Sequence, residues 1–257
     1  MSRFENLEFG REKEDLENTV RAALKDEAFY YKEATQLFER GQFEKALRAY
    51  AKVLEFNPKN NQAWLGQVRM LIELGEFEEG KVWVEKALSL FPDEPELLAA
   101  KGVALARSGD PGGALSYSDA AIESQGNTPY IWLARADVLL ARKEKRADYC
   151  LQKAIELASR HWFVLWLAAR IEAYYERFAR SLTLVQQGIS IDSARAVLWL
   201  QAGECQFALG LAAQANRSME QAREMDPECD IPRLYQQTAR SGFLDKVAAR
   251  WRHWRQK

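Results

Sequence analysis

The chain has 257 residues, 47% of them hydrophobic and 28% charged, with only 14 Gly and 7 Pro; that is the make-up of a folded globular protein and excludes collagen-like, linker-like and low-complexity chains. Its 36 basic and 37 acidic residues leave a formal net charge of −1, so it does not bind nucleic acid over its whole surface by bulk charge. The longest uncharged apolar run, Trp162 to Ala169, has eight residues, far short of the roughly 18 that a membrane-spanning helix needs.

The chain opens on MSRFENLEFGREKED, which is charged where a secretory signal would be apolar. Leu16, Val20 and Leu24 then recur at helical spacing, which predicts a helix over about 12–25 that caps the structure following it. Residues 1–26 are therefore read as an N-terminal segment with a capping helix. Phe4, Leu7 and Phe9 form a small apolar cluster ahead of it.

From residue 27 the sequence repeats. Gly41, Gly75 and Gly109 are spaced by 34, as are Ala46, Gly80 and Ala114, and Pro58 and Pro92. Farther on, Ala147, Ser181 and Ala215 keep that spacing, and so do Leu151, Val185 and Met219. Pro92 to Pro227 is 135, one short of four periods, and the missing residue falls between Trp132 and Ala147. Within the first period Tyr30, Ala34 and Leu37 make one helical face, Gly41 breaks the helix, and Phe43, Ala46, Tyr50 and Val53 make a second face that Pro58 ends. Each period thus reads as two helices, with small residues where the pair touches. A unit of this kind buries its second face only when the next unit stacks on it.

The order of residues in a period is Trp or Tyr, small, Leu, Gly, aromatic, Ala, aromatic, Ala, Pro. The second period carries it as Trp64, Val68, Leu71, Gly75, Phe77, Gly80, Val84, Ala87 and Pro92, and the sixth as Trp199, Gly203, Gln206, Gly210, Ala215, Met219, Ala222 and Pro227. The fifth is weakest: Trp166 could lead it, but Leu165 with Ala169 fits better. In length and pattern this resembles the tetratricopeptide repeat (TPR) family. The resemblance implies an all-α, right-handed α-solenoid of about six helix-turn-helix repeats over residues 27–229, with a capping helix at each end. It is specific for fold and unspecific for function.

It also implies that the first helices of successive repeats line a concave groove. The side chains placed there are Tyr31, Leu65, Arg69, Tyr130, Leu133, Asp137, Trp166, Arg170 and Glu204. Tyr, Trp and Arg are frequent interface hot spots, and such a groove suits an extended or helical peptide with apolar anchors and a few charged contacts. Tyr130, Leu133 and Trp166 are the expected central anchors, with Arg69 and Arg170 orienting charged groups. Some TPR proteins hold an acidic chaperone tail in a carboxylate clamp of Lys, Asn and Arg. Here the corresponding positions are Tyr31, Thr35, Gly66, Glu96 and Ala100, so a chaperone tail bound in this way is not expected.

Residues 230–257 hold seven basic and two acidic side chains, and Phe243, Val247, Trp251 and Trp254 fall on one helical stripe. This reads as a basic capping helix. Arg250, Arg252, Arg255 and Lys257 form a possible basic surface, and the alternative function is recruitment to anionic lipid or nucleic acid through it. The three Cys (150, 205 and 229) and two His (161 and 253) have no metal-ligand spacing, and no phosphate-binding loop or nucleophile motif occurs. The expectation is a cytoplasmic, non-enzymatic scaffold or adaptor, with no cofactor or metal, that binds a protein or peptide and supports complex assembly. The role of accessory subunit to an enzyme stands as a further alternative.

Overall fold

The computed structural model describes residues 25–124 and 126–228. The expected N-terminal capping helix up to residue 24 and the basic C-terminal helix, with Arg250, Arg252, Arg255 and Lys257, lie outside the described residues. Twelve α-helices are described, in six pairs. They are α1 (Glu27–Glu39) with α2 (Phe43–Phe56), α3 (Asn61–Leu74) with α4 (Phe77–Leu90), and α5 (Pro95–Arg107) with α6 (Pro111–Glu123). The remaining pairs are α7 (Pro129–Ala141) with α8 (Ala147–Leu157), α9 (Trp162–Tyr174) with α10 (Phe178–Ile191), and α11 (Ala196–Ala208) with α12 (Ala212–Met225). This is the all-α solenoid of about six repeats.

Local chemistry sets the helix starts. Asp26, Asn60, Asp110 and Thr128 each accept a hydrogen bond from the backbone N–H three residues on, satisfying a donor that the first turn would leave open. Pro95, Pro111 and Pro129 occupy first helical positions, where the missing N–H costs nothing. Two leading tryptophans tie their helices to the loop before them. Trp64 Nε1 donates to the Pro58 carbonyl and Trp199 Nε1 to the Ser193 carbonyl, both at 2.8 Å.

Every pair turns through one residue with positive φ. That residue is Gly41, Gly75, Gly109 and Gly210 in four repeats, and Lys143 (φ 58°) and Glu176 (φ 61°) in the other two. Lys143 lies 34 residues after Gly109, whereas Lys143 to Glu176 is 33. The missing residue of the repeat therefore sits just past Lys143, in the turn into α8.

Small side chains let the two helices of a pair approach. Ala34 and Ala46 have no exposed surface, and a Cβ on Gly203 would come within 2.8 Å of Met219 Cγ and 3.2 Å of the Ala215 carbonyl. Each helix packs on the next, and the odd-numbered helices also stack on one another from α3 to α11. Odd helices thus form the inner layer and even helices the outer one. Leu165 and Ala169 take the packing positions of the fifth repeat and are 1% and 0% exposed, leaving Trp166 to point inward.

The solenoid does not stay open. One buried cluster runs from Ala34, Phe38 and Tyr50 in the first repeat to Trp166, Val197 and Leu198 in the fifth and sixth. Repeats far apart in sequence therefore share a core, beyond the neighbour-to-neighbour packing of an extended array.

Candidate functional site

The inner face brings together side chains from the first five repeats. Arg69 on α3 lies between two aromatic rings, its guanidinium carbon 4.7 Å from the Phe38 centroid and 4.2 Å from the Tyr130 centroid. One helical turn on, Glu73 receives Arg170 from α9 at 2.6–2.7 Å. Arg107 on α5 forms a bidentate pair with Asp137 on α7 at 2.6–3.2 Å, and the Tyr175 hydroxyl donates to the same carboxylate at 2.7 Å. The Arg107 guanidinium carbon also lies over the Tyr174 ring, 4.1 Å from its centroid. Between these groups is a water-sized cavity of about 30 Å³ lined by Arg69, Glu73, Val103, Arg107, Tyr130 and Asp137, among others.

Three cations and two anions share this interior, and their protonation follows from that. Burial works against the Glu73 charge, but Arg170 and Arg107 override it and hold the carboxyl below its usual range. Burial likewise opposes the Arg107 charge, and Asp137 more than restores it. Burial pushes the Tyr130 and Tyr175 hydroxyls up, so both stay protonated donors. The result is a lining of neutral phenols and two ion pairs, with Arg69 stacked between rings, suited to polar and aromatic contacts.

The sequence-predicted residues fall into two groups. Tyr31, Arg69, Tyr130, Arg170 and Glu204 are partly exposed. Leu65, Leu133, Asp137 and Trp166 are buried, at 3%, 2%, 1% and 2% exposure. The expectation that Leu133 and Trp166 form an open anchoring surface is corrected here: both are buried in the shared core, and the first repeat covers Trp166. Trp166 stacks on Phe43 (ring centroids 6.2 Å apart, planes at 16°) and also meets Phe38 and Phe163. Arg170 lies 4.7 Å from the Phe43 ring centroid. Gly66 and Ala100, compared above with the clamp positions, serve packing instead: a Cβ on Gly66 would meet the Tyr50 ring at 2.5 Å, and Ala100 is fully buried.

Sequence reasoning missed Glu73, Arg107, Tyr174 and Phe38. Glu73 and Arg107 lie four residues beyond Arg69 and Val103 on the same inner face, so helical spacing carried a signal for them. No spacing pointed to Phe38 meeting Trp166. Among the described residues no group of three or more His, Cys, Asp or Glu could hold a metal. The two described thiols run opposite to an activated nucleophile: burial raises Cys150 and pushes Cys205 up to about 11. No helix is long and apolar enough to cross a membrane among the described residues.

A tetratricopeptide repeat profile matches residues 37–104. The chain is 21% identical over 188 residues to the BBSome complex member BBS4 of Bos taurus, which covers 73% of this chain and 36% of that protein. It therefore spans just over a third of that relative's length. It is 34% identical over 58 residues to the uncharacterized protein MJ0572 of Methanocaldococcus jannaschii, covering 23% of this chain and 67% of that protein. Among solved structures it is similar to TTC0263, a thermophilic TPR protein of Thermus thermophilus. The TM-score is 0.54 at 18% identity, over 70% of this chain and 99% of that one, which is a likeness of fold.

Proposed function

Because the chain is a tetratricopeptide repeat protein, we propose that it is a non-enzymatic scaffold or adaptor that binds a partner peptide or domain through its inner face and supports assembly of a multiprotein complex. One observation carries this reading. Four first helices present partly exposed aromatic and charged side chains, Tyr31, Arg69, Tyr130 and Arg170, toward the same interior. Among them Arg69 lies between two rings and makes no ion pair among the described residues, so its N–H groups can meet a partner's carbonyl or carboxylate. Of the buried residues Leu65, Leu133, Asp137 and Trp166, Trp166 is the one that lies against the first repeat, at Phe38 and Phe43. The likeness to a BBSome complex member supports a place in an assembly, and the odd number of widely spaced cysteines favours a reducing compartment such as the cytoplasm.

The test is affinity capture from native lysate with quantitative mass spectrometry, comparing the parent with a Tyr31→Ala/Arg69→Ala variant of unchanged helical circular dichroism. A near-stoichiometric protein held by the parent and lost from the variant is the expected result. Partners indifferent to the variant overturn the assignment to the inner face.

A further inference from the structure

The seam between the two ends of the solenoid has the anatomy of a binding interface. At its centre the turn between α1 and α2 presents Phe38 and Phe43 to Phe163 and Trp166, with ring centroids 5.1–6.5 Å apart. Gly41 sits at the apex with φ 71°, and a Cβ there would lie 3.2 Å from Val197 Cγ1. A side chain there would be strained by the backbone and would press on Val197. Around this apolar centre lies a polar rim. Arg40 makes a bidentate pair with Asp226 at 2.9–3.0 Å, Lys45 bonds Glu228 at 3.0 Å, and Arg195 approaches Glu39 at 3.8 Å. The rim is open to water: the Arg40, Lys45 and Glu228 side chains are 51%, 57% and 65% exposed. An aromatic centre with a solvated charged rim is the anatomy of interfaces between separate proteins.

We propose that the surface made by Phe163, Trp166 and Arg170 on α9, Val197 on α11 and Asp226 after α12 is a docking site for a helical hairpin whose turn carries a basic residue between two aromatic ones. The chain's own first hairpin fills it in this structure, and the hairpin of a second copy fills it once that pairing is released. The aromatic and charged pairs broken within one chain re-form between two. A reciprocal exchange closes by a two-fold axis, the low-cost route to a dimer. This goes beyond the scaffold reading, and its test needs no outside partner.

Two full-length variants are made, Arg40→Glu, which spoils the hairpin, and Asp226→Lys, which spoils the site. Each alone has like charges at the seam. Mixed, the intact hairpin of one chain meets the intact site of the other, and the two reversed charges also face each other. The readouts are sedimentation velocity and zero-length carbodiimide cross-linking, with the Asp226→Lys chain labelled with nitrogen-15. In the parent, the expected product is a Lys45–Glu228 link within one chain. Each variant alone should lose that link about tenfold or more, and the mixture should sediment as a dimer carrying the link between labelled and unlabelled chains. A link that survives within either single variant overturns the proposal, because the hairpin is then a fixed part of the fold. A folded mixture that stays monomeric, or dimerises without that link, overturns it too. If either reversal loses helical signal, the neutral pair Arg40→Gln and Asp226→Asn takes its place: the link within one chain should weaken in each variant alone and appear between labelled and unlabelled chains in the mixture, and a mixture without that link overturns the proposal.

Discussion

At the scale of single residues, the turns between paired helices decide where the repeat can be read. Each needs one residue in the left-handed region, which only glycine enters without steric cost. Gly41, Gly75, Gly109 and Gly210 mark their turns openly. Lys143 and Glu176 hold the same conformation with side chains that advertise nothing, and the one-residue deletion just past Lys143 throws the register off as well. The fourth and fifth repeats are therefore the faintest in sequence and unexceptional in structure. The strain is testable. Lys143 is exposed, so Lys143→Gly should raise stability by about 0.5–1 kcal/mol, the left-handed penalty of ~1–2 kcal/mol less the added freedom of the unfolded chain. Urea unfolding measures it, and a lower midpoint in the variant would show that the turn carries no such strain.

At the scale of elements, the packing of α8, α9 and α10 traps an acid. Glu172 on α9 is 2% exposed. It faces a crevice of about 230 Å³ lined by Asp148, Leu151, Gln152, Ile155, Arg180, Thr183 and Leu184. The Arg177 Nε comes within 2.9 Å of its carboxylate without the alignment of a hydrogen bond, because that guanidinium also binds Asp148. Burial pushes Glu172 up to about 7, with Arg180 pulling it down and Asp148 adding to the rise. A carboxyl raised in the folded state holds its proton there after the unfolded chain has lost it. Its contribution is complete below the ordinary carboxylate range and is lost as pH rises through about 7. Stability should accordingly fall between about pH 5 and pH 8, and Glu172→Gln should flatten that slope in chemical unfolding. Glu73, held low by Arg170 and Arg107, acts in the opposite sense and at lower pH, so the two windows separate. An equal slope in parent and variant would mean that Glu172 stays ionised when buried. The trap was not legible in sequence, since Glu172 reads there as one more helical acid and its burial depends on the neighbouring pair.

At the scale of the whole molecule, the decisive feature is the seam. Helical spacing and a period of 34 brought Arg69, Tyr130 and Arg170 onto one face in the sequence, and the structure places Arg69 over Tyr130 and Arg170 on the neighbouring Glu73. The spacing could not show that Leu133 and Trp166 would be covered. Closure depends on the small rotation accumulated over six repeats, and it pairs Arg40 with Asp226 across 186 residues that no motif links. Trp166 thus belongs to the core as well as to the inner face. Trp166→Ala should cost about 3–5 kcal/mol, the usual range for emptying a buried aromatic site, and lower the denaturant midpoint accordingly. A loss below about 1 kcal/mol would mean that Phe38 and Phe43 do not rest on it in solution.

The seam also bears on how such a chain can evolve. An open solenoid grows or shrinks by whole repeats, since duplication of one unit merely lengthens the stack. Here a unit added or removed between the first and fifth repeats would carry Asp226 away from Arg40 by roughly the 8–10 Å that separates packed helices, and Trp166 would lose Phe43. The seam thus works as a ruler: it ties the number of units to a single value and leaves variation to act on side chains and turns.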